Sequence, residues 1–237
     1  MIDVVYKILV MGQVHVPMSI VRAVVASTVA VMALGFQAPC AAQPDAPVAK
    51  PDVKPGDSWT YLSMDYWTNK PTGTREIRVA HASDRAIQVV VSQPGGRESD
   101  ETYSPDWNAV AVGRGNFNPH SGLLKFPLQL GAAYKLAYEM EFGAARNWRV
   151  RQEHTAKVLG WEEIVVPAGK FRALKIETAG EFQRLDTSAA GTSKFSIWYV
   201  PEVKRWVKFM YEDVIAVGGP RGPNNKFGEE LVEFKLQ

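Results

Sequence analysis

Cysteine is almost absent from this chain of 237 residues, and the one copy, Cys40, falls near the N-terminus. Beyond it there can be no disulfide, Cys-ligated zinc, iron–sulfur cluster or cysteine nucleophile. Long runs of like charge are missing too. The 27 basic and 25 acidic side chains are spread along the whole length and leave a net charge of +2. With no basic block to track a phosphate backbone, nucleic acid is not an expected partner. After the first 42 residues there is no sustained 3.6-residue periodicity and no short repeat, which removes a helical domain and a solenoid.

Signatures of chemistry are equally scarce. There is no phosphate loop, and Gly113-Arg-Gly115 lacks the third glycine and following helix of a dinucleotide fingerprint. No Gly-x-Ser-x-Gly occurs; His120-Ser121-Gly122 sits in a loop without a strand-to-helix elbow. His81, His120 and His154 lie far apart, and none has a partner at metal-ligand spacing. Adjacent carboxylates at Asp100-Glu101, Glu162-Glu163, Glu212-Asp213 and Glu229-Glu230 point to opposite faces of a strand, so they do not converge on a substrate. We therefore expect no metal, no cofactor and no catalytic residue that can be named. A triad assembled across the fold would leave no local signature.

The N-terminus reads as an address. Arg22 precedes fourteen uncharged residues, Ala23 to Phe36, and Gln37-Ala-Pro-Cys-Ala-Ala42 follows with small side chains at Cys40 and Ala42. That is the pattern of a cleavable secretory signal over residues 18–42. As a helix the apolar stretch spans about 21 Å, short of the ~30 Å hydrocarbon core, so no permanent transmembrane span is expected. Residues 1–17 do not fit a signal and are read as a mis-assigned extension ahead of Met18. Gln37 and Pro39 around Cys40 depart from a lipoprotein cleavage pattern, so no lipid anchor is expected there. The Pro- and Ala-rich stretch 43–55 reads as a flexible lead-in, and the destination as periplasmic or secreted.

From residue 56 the pattern has period two. Tyr134, Leu136, Tyr138, Met140 and Phe142 share one parity, opposite Lys135, Glu139 and Glu141. Beyond Gly143, Trp148, Val150, Gln152, His154, Ala156 and Val158 share the next, opposite Arg149, Arg151, Glu153 and Lys157. Such neighbours make a hairpin with one wet face. Similar stretches, separated by Pro/Gly/Asn turns, predict an all-β domain over 56–237: one curved antiparallel sheet or incomplete β-barrel of about ten strands. The only break resembling a linker is Gly115 to Gly122.

Three phrases go beyond generic β texture: Phe126-Pro-Leu-Gln-Leu-Gly131, Glu163-Ile-Val-Val-Pro-Ala-Gly-Lys-Phe171, and Trp198-Tyr-Val-Pro-Glu202 ahead of Arg205-Trp-Val-Lys208. In this order the chain, over roughly 54–237, resembles the DUF3108-like group of bacterial periplasmic β proteins. That group is related in architecture to the lipoprotein carriers LolA and LolB. The resemblance implies an incomplete barrel in the cell envelope and carries no catalytic residues with it. Turn geometry explains the same motifs, since Pro167 fixes φ and Gly169 permits a positive one.

Aromatic residues are the remaining signal. Trp59, Tyr61 and Trp67 share one strand parity, and Trp198 and Trp206 flank the turn at Pro201. These five are the candidate ligand-binding residues, lining a barrel mouth for an apolar or lipid-like ligand. Core packing explains the same five residues. The reading is thus a non-catalytic envelope protein that binds an apolar ligand or a protein partner. The alternatives are a periplasmic hydrolase with a spatially assembled His/acid site and a structural subunit of an envelope assembly.

Overall fold

The hairpin read between Tyr134 and Val158 is present with the expected faces. In the computed structural model, which describes residues 46–237 except 97, 144–147, 220 and 221, Leu136 pairs with His154 and Tyr138 with Gln152. The expectations for residues 1–17, for the signal at 18–42 and for Cys40 lie outside the described residues.

The strands run in chain order as β1 (Ser58–Asp65), β2 (Lys70–Ala82), β3 (Ile87–Ser92), β4 (Ser99–Tyr103), β5 (Ala109–Val112) and β6 (Gly115–Asn118). They continue as β7 (Ala133–Phe142), β8 (Trp148–Val166), β9 (Gly169–Arg184), β10 (Ala190–Val200), β11 (Arg205–Val217) and β12 (Gly222–Lys235). Each pairs antiparallel with its neighbour, and β1 pairs with β12 from Ser58↔Lys235 to Asp65↔Phe227. The result is a closed up-and-down barrel.

Two expectations are corrected. The sheet is closed rather than incomplete, because first and last strands complete each other's hydrogen-bond ladders and leave no free edge between them. Among the described residues it has twelve strands, not about ten. Strand β4 is acid-rich and turns Glu101 inward, so its alternation is hidden. Strand β6 is the Gly115 segment read as a linker; it pairs with β5 and β7 instead. Gly160 does not end a strand, since a register shift between Val158 and Gly160 absorbs it within β8. Part of the expected lead-in is also packed: Val48 exchanges two backbone bonds with Leu128, both 2.8 Å, and Val53 lies on the core.

The interior is largely apolar. Ile77, Val79, Val89, Ile176, Ile197 and Leu231 are among its fully buried side chains. Outward positions carry ion pairs, such as Glu139 with Arg149 and Arg151, Glu177 with Lys194, and Glu230 with Lys208.

One end is plugged by the turn between β10 and β11. Pro201–Val203 form a single 3-10 turn, and Lys204 closes it with φ 60°. Buried Asp57 ties this turn to both ends of the domain. It accepts from Lys204 Nζ at 2.9 Å, from the Lys54 backbone at 2.9 Å and from the Gln237 backbone at 2.7 Å. Trp59 and Trp107 donate their indole N–H groups to the carbonyls of Val203 (2.8 Å) and Lys204 (3.0 Å). Tyr61 donates to the Trp206 carbonyl at 2.6 Å.

Candidate functional site

Above that plug the barrel is hollow. A cavity of about 540 Å³ is walled by side chains that include Leu124, Phe195, Ile197, Phe209 and Tyr138, with Phe227 about half exposed at its rim. This volume falls within the ~300–1,000 Å³ of small-molecule sites, and the wall chemistry is that of an apolar ligand pocket.

Local sequence explains how the wall is built. Along β11 the register jumps so that Tyr199 faces Trp206 while Trp198 faces Lys208. The bulge lets Trp206 and Phe209, three residues apart, both face the cavity, whereas strict alternation would send one outward. Trp107 reaches the wall from the loop between β4 and β5, where its backbone adopts φ 61°. Its ring meets Trp59 edge-on at 5.4 Å and Tyr103 at 5.3 Å.

Charged groups gather at the plugged side of this apolar chamber. Arg75, on the same parity of β2 as Ile77, donates from Nε (2.9 Å) and Nη2 (2.7 Å) to Glu229 Oε2. Trp206 Nε1 donates to the other oxygen at 2.6 Å. Glu101 accepts from Tyr103 Oη at 2.7 Å and from the Gly113 backbone at 2.9 Å, and lies 3.9 Å from Arg75 Nη1. Burial disfavours charge on Glu229, but Arg75 and Arg205 outweigh it and hold the carboxyl below the usual range. Burial pushes the Tyr103 phenol up to about 12, so it stays a donor at neutral pH.

Arg205 completes the group in a different manner. Its side chain is fully buried, yet none of its three guanidinium nitrogens finds a hydrogen-bond acceptor among the described residues. It lies instead 4.1 Å from the centre of the Trp206 ring and 4.3 Å from that of Trp107, with Tyr103, Trp59 and Tyr61 at 5.2–5.7 Å. Five aromatic faces thus surround one cation.

Of the five aromatic candidates, Trp206 lines the cavity, and Trp59 and Tyr61 stand around Arg205 behind it. Trp67 and Trp198 are elsewhere. Trp67 is 54% exposed near Lys226. Trp198 packs against Lys175 and Lys208 and donates to Glu162. The residues missed were Arg75, Glu101, Trp107, Arg205 and Glu229. The parity of Arg75 with Ile77 and Val79 was a readable sign of an inward charge.

The histidines divide. His81 shared the parity of Ile77 and Val79, but the register shift between Val79 and His81 turns it to solvent. His120 accepts from the Gly122 backbone at 3.1 Å. His154 is buried, with Nε2 2.9 Å from Ser193 Oγ and Nδ1 3.2 Å from Thr178 Oγ1. Ser193 in turn donates to Gln152 Oε1 at 3.0 Å. A histidine and a serine therefore meet, but the orienting third group is a threonine where a triad has a carboxylate. No group of three or more metal-ligating side chains occurs among the described residues.

Burial lowers the His154 pKa to about 4 from 6.5. The sign follows from proton binding. Between those two pH values the unfolded chain takes up a proton that the folded one refuses, so stability falls as pH falls and levels off below about 4. Replacing His154 by Gln should flatten the stability curve over that interval. Urea midpoints of both proteins at several pH values test it, and parallel curves would refute it.

No family model matches the chain, nor does any curated protein. The resemblance drawn above rests on its turn motifs alone. Two solved structures are similar in shape. A candidate exported protein with a YmcC-like fold from Bacteroides fragilis superposes with TM-score 0.47 at 13% identity, covering 80% of this chain and 100% of that one. A candidate lipoprotein from Parabacteroides distasonis gives TM-score 0.49 at 14% identity, with the same coverages. At this level neither likeness bears on ligand or reaction.

Proposed function

We propose that this is an envelope binding protein, exported and non-catalytic, that holds an apolar ligand inside its barrel. One observation carries the reading: a cavity of about 540 Å³ bounded by aromatic and aliphatic side chains, in a barrel whose first and last strands are paired. A filled barrel would give its interior to stability alone. The outer face, laced with ion pairs, is the reverse of the apolar band that a membrane-spanning barrel presents to lipid. Among the described residues no helix is long and apolar enough to cross a membrane. The barrel then turns most of its large apolar side chains inwards, as a carrier through water must.

Binding should scale with buried chain. Each methylene removed from water contributes about 0.8 kcal/mol, or roughly a fourfold change in Kd, until the chamber is full. Displacement of the uncharged fluorophore N-phenylnaphthylamine by alkyl ligands of increasing length measures this. A plateau after a steady rise supports the chamber. Failure of the fluorophore and of every alkyl ligand to bind would refute it.

A further inference from the structure

Resting on that reading, we propose that the ligand is an anionic amphiphile whose oxyanion head is received by Arg205, with its apolar tail running along the chamber towards Phe227. The argument is an inventory of hydrogen bonds at the plugged side. Both oxygens of Glu229 are taken, one by Arg75 and one by Trp206. Both oxygens of Glu101 are taken, one by Tyr103 and one by the Gly113 backbone. Each carboxylate oxygen in this group is therefore already engaged at least once, while a fully buried guanidinium finds no acceptor for its three nitrogens among the described residues. Formal charge balances, with two arginines against two glutamates. Donors do not balance acceptors, and the surplus sits on Arg205.

A buried guanidinium without an acceptor is costly, since rings attract the cation but cannot take its N–H bonds. Two of the rings packed closest to it, Trp107 and Trp206, are themselves part of the cavity wall. Arg205 itself lies behind these rings, so a head group reaches it only by turning one indole aside, at the expense of the Trp107 bond to the Lys204 carbonyl or the Trp206 bond to Glu229. A carboxylate or a phosphate monoester matches the planar fork of Arg205, and a hydroxyl or an ester matches it less well.

The experiment compares ligands that share a tail and differ in head: lauric acid, dodecyl phosphate and dodecanol, each displacing N-phenylnaphthylamine from the full-length mature protein. Arg205→Met and Arg205→Lys are measured beside it, with thermal unfolding as the check on folding. Arg205→Met removes no hydrogen bond to a described residue, but it leaves the two buried glutamates facing Arg75 alone, so some loss of stability is expected and thermal unfolding shows whether the variant folds.

We expect one or both anionic ligands to bind at least about tenfold tighter than dodecanol in the parent. The advantage should disappear in Arg205→Met, with dodecanol affected far less than the anions, and return in part in Arg205→Lys. A preference for only one anion identifies the head as carboxylate or phosphate. Equal binding of all three by the parent, or a preference that survives in Arg205→Met, overturns the head-group assignment and leaves the apolar chamber standing. Binding of none removes the chamber and the assignment with it. Should Arg205→Met fail to fold, Arg205→Lys and the parent's preference still decide.

Discussion

Replacing Arg75 by Met should destabilise the barrel by about 3–5 kcal/mol at neutral pH, the cost typical of stranding a buried charge without its partner. Arg75 meets Glu229 through two N–H bonds to one oxygen, at 2.9 and 2.7 Å, where the carboxylate is buried and the arginine side chain about one-fifth exposed. Without it, Glu229 keeps only the Trp206 indole as a hydrogen-bond donor and Arg205 as a neighbouring charge. Burial, the largest influence on this carboxyl, then raises its pKa.

The sign of the pH dependence should therefore reverse. In the parent, Glu229 titrates below its ordinary value of 4.5, so its contribution is present above that pH and is lost as pH falls through the folded value. In Arg75→Met the folded value lies above the unfolded one, and the deficit should shrink as pH falls towards it. The double variant Arg75→Met/Glu229→Gln should recover much of the loss, because no charge is left unpaired. Urea unfolding of the three proteins at neutral and mildly acidic pH measures all of this. A single variant within about 1 kcal/mol of the parent would show that the pair is solvated.

How much of this could be read from the chain depends on distance along it. The β7–β8 hairpin was legible because its two strands are neighbours and its faces alternate without interruption from Tyr134 to Val158. Closure was not. The pairing of Ser58 with Lys235 joins opposite ends of the domain, and no local pattern reports a contact of that span. Register shifts defeated parity in two informative places, turning His81 outwards and setting Trp206 and Phe209 on one wall.

The charged group failed to show for a related reason. Glu229 and Arg205 each sit beside a residue that reads as the notable one, Glu230 in an acidic pair and Trp206 in an aromatic turn. Their inward direction depends on pairings made by other strands. Of the aromatic candidates, Trp59, Tyr61 and Trp206 gather near the chamber, and Trp67 and Trp198 lie elsewhere. Those two are explained by the stems and charges of nearby lysines and Glu162.

The closing strand offers the second large effect. Gly228 pairs with Met64 on one side and Met210 on the other, and it lines the chamber. A β-carbon there would lie 1.9 Å from the Phe209 carbonyl oxygen, 2.9 Å from the Tyr66 ring and 3.0 Å from the Met210 α-carbon. Two of those three are backbone atoms of β11 that no side-chain rotation can move. A substituent there would point into the adjacent backbone and not towards the chamber or solvent. Gly228→Ala must therefore open β12 from β11, beside the ladder that closes the barrel. We expect a loss of about 3 kcal/mol or more, the upper range of overpacking. Gly73, in β2, is the control. No atom lies within 4 Å of its virtual β-carbon, so Gly73→Ala should stay within about 0.5 kcal/mol of the parent. Urea midpoints separate the two variants. Equal stability would mean that β11 and β12 yield easily at this point, and with them the wall of the chamber.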